Sequence, residues 1–299
     1  MNILITGASG FIGSAVAQHL ATLGHHIIPL ARGARIPGRP WWNPDIGEID
    51  LAPAGPLDAA IHLAGENIAA GRWTAARKTR ILTSRATSTA LLARTLAAQT
   101  PRPATLISAS AIGIYGNRGD DIVDEARADG IGFLSSVCRA WESAAAPAAD
   151  SGIRVVFARI GIVLHPAGGA LAKMLPPFRF GLGGPIGNGR QWMSWIALDD
   201  LVAIIAHVLE QTALTGPLNV VTPNPVTNRD FTGTLGRVLH RPAALPLPAC
   251  VARLLLGEMA DALLLASTRI TPARLQQSGF HFQHPNLEPA LRHLLTRTP

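Results

Sequence analysis

A glycine-rich turn near the start of the chain constrains the fold more than any other feature of the sequence. The apolar run 3–6 ends in segment 6–13, TGASGFIG, which leads into apolar residues with helical spacing over 11–23. Between a strand and a helix, glycines so spaced allow a tight turn, close approach of the backbone to a pyrophosphate, and close helix–strand packing. The turn therefore predicts a dinucleotide site, whose binding residues are Gly7, Gly10, Phe11, Ile12 and Gly13.

Strand and helix signals alternate after this turn. Apolar runs predict strands at 26–31, 58–63, 104–110, 155–160 and 218–221, and helical spacing predicts a long helix at 74–98. This alternation predicts an α/β fold, namely a Rossmann-type doubly wound parallel sheet with helices on both faces. Segment 33–55 interrupts the pattern, because its prolines and two tryptophans are too irregularly placed to predict a helix.

The length of 299 residues is enough for about two domains. Prolines at 242, 246 and 248 mark a linker after the last predicted strand. We expect residues 1–240 to form the cofactor-binding domain, with insertions around 165–195 on the substrate side. Residues 241–299 are expected to form a smaller, mostly helical domain on that same side.

Composition narrows the class of protein. Hydrophobic residues make up 48% of the chain and charged residues 15%, which excludes a disordered chain. Two cysteines, Cys138 and Cys250, exclude a disulfide scaffold and favour a reducing compartment. The sequence has no apolar run long enough to span a membrane and no basic segment before the first strand. We therefore expect a cytoplasmic protein without a membrane partner, and we predict no metal ligands.

The net charge of +7 favours an anionic ligand, although a compositional bias toward arginine is the alternative. The basic residues are scattered without interleaved aromatic residues, so we predict no nucleic-acid partner. The second predicted strand ends in Ala31 and Arg32, where an NAD site usually has an acidic residue. Since Arg32 can pair with a 2′-phosphate, the expected cofactor is NADP.

Several further motifs carry a family resemblance. They are HLAG at 62–65, SAS at 108–110 with YG at 115–116, LAGENI at 63–68, SR at 84–85, VCRAWE at 137–142 and LGGPIGNGRQ at 182–191. Together they resemble the extended short-chain dehydrogenase/reductases, and in particular the epimerase-like atypical branch called family 39U, which has a short C-terminal domain of unknown function. The resemblance implies an NAD(P)-binding epimerase/dehydratase-like domain at 1–240 and NADP contacts at Arg32, Leu63, Ala64, Glu66, Arg85 and Ile162.

Some of these contacts have a structural alternative. Leu63 and Ala64 end a strand, where core packing explains them equally well. Glu66 lies in a loop, so simple exposure is the alternative to a ribose contact. Arg85 closes a basic run that includes Arg72 and Arg77, and a solvated helix face explains most of that run.

The usual catalytic pair of this superfamily is missing. A Tyr-x-x-x-Lys pair normally exchanges a proton with the substrate hydroxyl. Here the single tyrosine is Tyr115, and no lysine lies four residues beyond it. Aligned through Glu142, which we expect to be a surface or packing residue, the pair positions hold Leu134 and Cys138. Ser110 occupies the usual serine position and is the predicted catalytic residue, binding a substrate oxygen.

Other groups could replace the pair, and two of them have a structural alternative. Ser135 and Ser136 adjoin the vacant tyrosine position. A buried filler on a helix is the better interpretation of Cys138, and a structural turn is the better interpretation of Tyr115.

The segment 181–197 departs from nucleotide-sugar epimerases. Met193 replaces the arginine that meets the diphosphate, and Ala197 replaces a histidine. We therefore expect a small-molecule substrate that is not a nucleotide sugar. The glycine-rich loop 181–192 is predicted to act as a lid on the nicotinamide pocket with Arg190 or Trp192 pointing inward, a remote surface loop being the alternative.

Two functional hypotheses follow. The leading one is an NADP(H)-dependent oxidoreductase or epimerase-like enzyme acting on an unidentified small substrate. The other is a non-catalytic NADP(H)-binding sensor or partner-docking module. The sequence also predicts a helix cap: the carboxylate of Asp199 or Asp200 should accept the free N–H groups of the helix 201–209.

Overall fold

The computed structural model describes residues 1–33 and 35–296. Residue 34, in the irregular segment, and residues 297–299, at the end of the expected C-terminal domain, lie outside the described residues. The strands are β1 (Asn2–Thr6), β2 (His26–Arg32), β3 (Trp41–Asn43), β4 (Glu48–Asp50), β5 (Ala59–His62), β6 (Thr105–Ala111), β7 (Ile122–Val123), β8 (Arg154–Ile160), β9 (Ile162–His165), β10 (Trp192–Met193), β11 (Trp195–Ala197), β12 (Gly216–Val220), β13 (Val226–Thr227) and β14 (Arg269–Ile270).

Helices lie between these strands. They are α1 (Phe11–Thr22), α2 (Ala75–Ala97), α3 (Phe133–Ser143), α4 (Ala146–Asp150), α5 (Gly169–Arg179), α6 (Leu198–Glu210), α7 (Asn228–Leu239), α8 (Ala249–Leu256), α9 (Glu258–Ala260), α10 (Ala273–Gln277) and α11 (Leu287–Thr296). Of these, α1, α2, α6 and α11 lie where the sequence predicts helices. Thr74 caps α2 by accepting a hydrogen bond from the backbone of Arg77, which explains why that helix begins where predicted. No helix of the described ranges is both long and apolar enough to cross a membrane.

The main sheet has eight strands in the order β12-β8-β6-β5-β1-β2-β3-β4, and the six strands from β12 to β2 pair in parallel. Thr6 pairs with Leu30 on one side and with His62 on the other, so the carboxyl ends of β1, β2 and β5 lie at one edge. The chain order reverses between β1 and β5, and ligands bind at such a point in doubly wound sheets.

Helices cover both faces of this sheet, which confirms the predicted fold class. One apolar core joins the sheet to α1 and α6, with Val16 and Leu201 fully buried. A second core joins the opposite face to α2 and α4, with Leu92 fully buried. Residues 35–55 are more ordered than predicted, because they contribute the short strands β3 and β4 and bury Trp42.

The C-terminal part is mostly helical and shares a core with the preceding chain. Leu291 of α11 packs in one cluster with Phe231 of α7 and Leu171 of α5. The expected boundary between 240 and 241 therefore passes between packed helices, and the division into two domains stays a prediction.

The predicted helix cap at Asp199 or Asp200 is wrong. Helix α6 begins earlier, at Leu198, and among residues 1–33 and 35–296 no side chain caps it. Both carboxylates instead reach the C-terminal part: Asp200 accepts hydrogen bonds from the backbone of Gln283 and His284, and Asp199 contacts His293. Long-range contacts thus outweigh the local capping that the sequence indicates.

Candidate functional site

The glycine turn between β1 and α1 has the shape of a phosphate cradle. Gly7 has φ of +70°, and Gly10 donates a backbone hydrogen bond of 2.9 Å to its carbonyl. A Cβ on Gly13 would lie 2.0 Å from the Gly7 oxygen, so only glycine lets α1 approach the turn this closely. Within the described chain no side chain caps α1, so its first amides remain available for an anion.

A buried hydrogen-bond network holds the chain after β5 beside this turn. The Thr6 hydroxyl oxygen accepts from the backbone N–H groups of Leu63 and Ala64, at 3.1 and 3.2 Å. That oxygen also lies 2.7 Å from His62 Nδ1, and a Cβ on Gly7 would be 3.0 Å from the Ala64 nitrogen. Leu63 and Ala64 are therefore brought next to the cradle, as the resemblance implies.

His62 is neutral in this network. Burial, together with the positive charge of Arg85, lowers the pKa of His62 to about 4. Since the Thr6 oxygen already accepts from two amides, its proton points to His62 Nδ1, and Nε2 faces the Ser88 hydroxyl at 3.3 Å. Sequence reasoning named neither Thr6 nor His62 as functional. Their signal is a polar residue at the end of each of two apolar strands that pair with each other.

Arg32 lies at the carboxyl end of β2, on the edge of the sheet that carries the cradle. Its side chain is exposed, and its guanidinium forms an ion pair with Asp45. The resemblance did not indicate Asp45, and the loop that carries it follows β3. A phosphate at Arg32 would therefore compete with one carboxylate.

Arg85 is partly buried beside the LAGENI loop instead of lying on a solvated helix face. It donates to the backbone oxygens of Glu66 and Ile81, at 2.9 and 3.1 Å, and lies over the Trp141 ring with its central carbon 4.9 Å from the centroid. Burial lowers the pKa of Arg85. Glu66 is partly exposed, and its carboxylate lies 3.6 Å from Arg77.

Ile162 and Phe11 belong to two further elements, β9 and α1. Ile162 begins β9, one residue after β8 ends at Ile160. The Phe11 ring lies against Gly168, which follows β9, and its centroid is 5.7 Å from that of His165. Apart from Arg85, which lies on α2, the predicted cofactor residues lie at or after the carboxyl ends of parallel strands, in the glycine turn, or at the start of α1.

The vacant catalytic positions lie beside the end of β6. A Cβ on Gly113 would be 3.1 Å from Leu134 Cβ, and the Cys138 thiol donates to the backbone oxygen of Ala111 at 3.6 Å. Burial and the charge of Glu142 raise the pKa of Cys138 to about 11, so the thiol stays protonated at neutral pH. Cys138 is buried, as a structural filler would be.

Ser110 belongs to a closed polar network. Its hydroxyl donates to Glu142 at 2.6 Å, and Arg159 donates to both oxygens of that carboxylate at 2.9 Å. Of the two alternatives expected for Glu142, the surface residue is wrong, because its side chain is 13% exposed and holds this ion pair inside the fold. A substrate oxygen would compete with Glu142 for the Ser110 proton, and the catalytic role of Ser110 stays a prediction.

Tyr115 extends the same network. Its hydroxyl accepts from Arg159 at 2.9 Å and donates to Asn219 at 2.7 Å, and burial raises its pKa. Tyr115 is fully buried one residue before Gly116, whose φ is +66°. This placement agrees with a structural turn.

The glycine-rich loop borders a cavity of about 580 Å³. Arg190 lines the cavity, together with Asp120 from the chain after β6 and Arg253 from α8. Trp192 instead donates to the Asp120 carboxylate at 2.9 Å and stacks under Arg269. That this loop closes over the nicotinamide pocket stays a prediction.

Residues 3–220 match the NAD dependent epimerase/dehydratase family, and residues 247–294 match a domain of unknown function, DUF1731. This chain belongs to the NAD dependent epimerase/dehydratase family. Epimerase family protein Mb2239 of Mycobacterium bovis is 44% identical over 99% of this chain and 98% of its own length.

Two solved structures are similar as well. A crystal structure of human epimerase family protein SDR39U1 (isoform2) with NADPH has a TM-score of 0.92 and 35% identity, covering 100% of both chains. The nucleoside-diphosphate sugar epimerase from Corynebacterium glutamicum has a TM-score of 0.81 and 36% identity, covering 98% of this chain and 57% of that chain. These likenesses confirm the predicted resemblance to the epimerase-like 39U branch.

Proposed function

We propose that this protein binds NADP(H) and acts as an oxidoreductase or epimerase-like enzyme on a small substrate. The observation that carries the proposal is the glycine cradle, flanked by the Leu63–Ala64 backbone and by Arg32. The human relative crystallised with NADPH supports the same cofactor.

The residues present fit such a cofactor. The amides at the start of α1, which no described side chain caps, suit the pyrophosphate because a helix N-terminus attracts anions. Leu63 and Ala64 suit the adenosine half, and Arg32 suits the 2′-phosphate. The other parts of the cofactor would be bordered by Glu66, Arg85 and Ile162.

When bound, the cofactor supplies or accepts a hydride at its nicotinamide ring. Ser110 is the residue that we assign to the substrate oxygen. Because its proton is donated to Glu142, its oxygen offers lone pairs and would accept a hydrogen bond from a substrate hydroxyl. The protonated thiol of Cys138 does not act as a base at neutral pH.

We propose that the substrate is a small polar molecule. Arg190 and Arg253 give the cavity beside the glycine-rich loop two cationic groups, although Arg253 pairs with Asp261. Met193, at the position where a diphosphate arginine is expected, contacts the Asn228 amide through its sulfur. A nucleotide sugar is the competing substrate, and the name of the Corynebacterium relative is a reason to test it.

Calorimetric titration with NADPH and with NADH tests the cofactor. A charge-assisted contact to phosphate corresponds to about tenfold to a hundredfold in affinity, and Arg32→Ala should remove that preference for NADPH. Arg94→Ala, at an exposed position on α2, is the matched control and should change neither affinity. Equal affinities of the unaltered protein for the two cofactors would contradict the proposal.

A non-catalytic NADP(H) sensor is the second candidate. It is favoured by the pair positions, where Leu134 cannot transfer a proton and Cys138 holds its proton firmly. A panel of small hydroxy and keto compounds and nucleotide sugars, followed by NADPH absorbance, separates the two functions. Turnover that Ser110→Ala abolishes would support the enzyme, whereas tight NADPH binding without turnover across the panel would support the sensor.

A further inference from the structure

Two imidazoles and a carboxylate meet where the end of the chain packs on α6, away from the glycine cradle. Asp199 lies in the first turn of α6, His293 lies on α11, and His284 lies in the loop before α11. One ligand atom from each of these side chains lies within 4.8 Å of the other two. This is the donor set of a two-histidine, one-carboxylate metal site.

The distances suit a divalent transition metal. The Asp199 Oδ2 atom lies 2.8 Å from His293 Nε2 and 3.7 Å from His284 Nε2. Ligand atoms about 2.0–2.1 Å from a tetrahedral Zn²⁺ ion are roughly 3.3 Å apart, and the two measured distances lie on either side of that value. Small movements of two side chains would therefore place all three atoms around one ion.

Hydrogen bonding alone explains only part of this arrangement. His293 has its partner in Asp199, but within residues 1–33 and 35–296 the His284 ring forms no hydrogen bond and only approaches the same carboxylate oxygen. The two imidazole rings are close and tilted, with centroids 4.3 Å apart and planes inclined by 33°. A shared ion accounts for two rings that converge on one oxygen.

The backbone already holds the three ligands in place. Asp200 accepts the backbone N–H groups of Gln283 and His284, at 2.8 and 3.0 Å, and so fixes the loop that carries His284. Leu291 and Leu294 of α11 are buried in the core and fix the helix that carries His293. Such preorganisation raises metal affinity, because fewer groups must be ordered on binding.

We propose that Asp199, His284 and His293 bind one Zn²⁺ ion or another borderline divalent cation, with water completing the coordination. From the sequence we expect no metal ligands, because these three residues are 85 and 9 positions apart and follow no common ligand spacing. The side chains are partly exposed, which leaves room for the water ligand. The ion would tie the C-terminal segment to α6.

The test is a titration of the tag-free, full-length protein with Zn²⁺ in competition with a chromophoric chelator, and with Co²⁺ followed by its visible absorption. We expect one ion per chain. His284→Ala and His293→Ala should each weaken binding by more than the roughly tenfold to hundredfold typical of losing an outer orienting partner. Asp200→Asn, which removes such a partner, should fall within that range.

Two control variants distinguish this site from other donors. His281→Ala changes an exposed histidine three residues before His284, and Cys250→Ser removes the exposed thiol. Both should bind as tightly as the unaltered protein. Zn²⁺ should also raise the melting temperature of the unaltered protein and of both controls, but not that of His284→Ala.

Several outcomes would overturn the proposal. They are absence of saturable binding by the unaltered protein, equal affinity in His284→Ala, and loss of binding in Cys250→Ser with retention in His284→Ala. If circular dichroism shows that His293→Ala does not fold, His284→Gln in the partly exposed loop decides the matter. NADPH affinity is not a readout here, so failure of this site and failure of the proposed cofactor remain distinguishable.

Discussion

The crevice at the carboxyl ends of the strands has two sides, the glycine-turn side at residues 6–13 and 62–64 and the α3 side at Ser110, Glu142 and Arg159. Backbone groups form the first side, and charged and polar side chains form the second. On the first side, backbone amides face outward and small residues keep them accessible, while Thr6 and His62 support the backbone from within. On the second side, charged and polar side chains bind one another: Ser110 binds Glu142, and Glu142 binds Arg159. The first side is open to a ligand, whereas the second is mutually satisfied.

This difference suggests how the two halves of such a fold can diverge. A phosphate cradle depends on backbone geometry, which a few glycines preserve. Proton transfer depends on individual side chains with suitable pKa values. In this chain Leu134 and a protonated Cys138 occupy those positions, so the cofactor side can persist while the chemistry changes.

The largest expected effect comes from breaking the network on the α3 side. Arg159→Met leaves the Glu142 carboxylate, whose side chain is 13% exposed, without its charged partner, and losing one partner of a buried pair costs about 3–5 kcal/mol. We expect the free energy of unfolding in urea to fall by that order. Because no hydrogen bond or ion pair among the described residues joins the α3 network to the glycine turn, the folded variant should keep its NADPH affinity.

A compensating double variant and a control at an exposed ion pair complete the stability test of Arg159→Met. Arg159→Met with Glu142→Leu should recover most of the lost stability, because no unpaired charge remains. Arg253→Met breaks the exposed pair with Asp261 and should change stability by less than about 1 kcal/mol. Equal effects of Arg159→Met and Arg253→Met would show that the α3 network is not a closed, stabilising unit.

The next effect is a pH dependence on the glycine-turn side. The pKa of His62 is about 4 in the folded protein against an ordinary value of 6.5, so the unfolded chain binds more protons between these values. Stability should therefore be full above pH 6.5 and should fall by at most about 3 kcal/mol as the pH drops toward 4. Urea unfolding at a series of pH values measures this.

His62→Gln sharpens the same test. Glutamine does not titrate, so this variant should lose the part of the pH dependence between 6.5 and 4 that His62 supplies. His281→Gln, at an exposed position, should leave the pH dependence as it is. Parallel pH profiles for the unaltered protein and His62→Gln would mean that His62 is not held neutral beside the cradle.

A smaller effect is expected at the cradle itself. In Gly13→Ala the new Cβ would lie 2.0 Å from the Gly7 oxygen, so the turn and α1 must move apart. Such overpacking costs about 1–3 kcal/mol, and NADPH binding should weaken because the amides shift. Gly71→Ala is the matched control, since the described residues leave a Cβ there unobstructed. Unchanged NADPH affinity in Gly13→Ala would separate the cradle from the cofactor.

The sequence predicts the glycine-turn side well because its signals are local. Gly7, Gly10 and Gly13 lie within seven residues, from the end of a strand into the first turn of a helix, and periodicity alone places both elements. The end of β2 follows from the same alternation, so Arg32 is placed at the correct edge of the sheet. These inferences require no knowledge of long-range contacts.

The α3 side could not be predicted in the same way. Glu142 meets Arg159 and Ser110 only after β6, α3 and β8 have packed, and a lone glutamate on a helix does not indicate such a pair. Asp199 and Asp200 show the same limit, because local rules predict a helix cap while the carboxylates bind residues far along the chain. Tertiary contacts outweigh local preference at these positions.

The smallest expected effect concerns Arg32, at the edge of the glycine-turn side, and tests whether its guanidinium is free to bind a phosphate. Asp45 holds the exposed guanidinium of Arg32, and a 2′-phosphate would have to displace it. An exposed ion pair is worth about 0.2–1 kcal/mol, so Asp45→Asn should strengthen NADPH binding by at most about fivefold and leave NADH binding unchanged. Asp50→Asn, which frees the neighbouring Arg35, serves as the control. Because the pair is screened by salt, the gain should shrink as ionic strength rises.

Weaker NADPH binding in Asp45→Asn would instead mean that Asp45 positions Arg32 for the phosphate. This edge, like the α3 side, would then depend on side chains that hold one another.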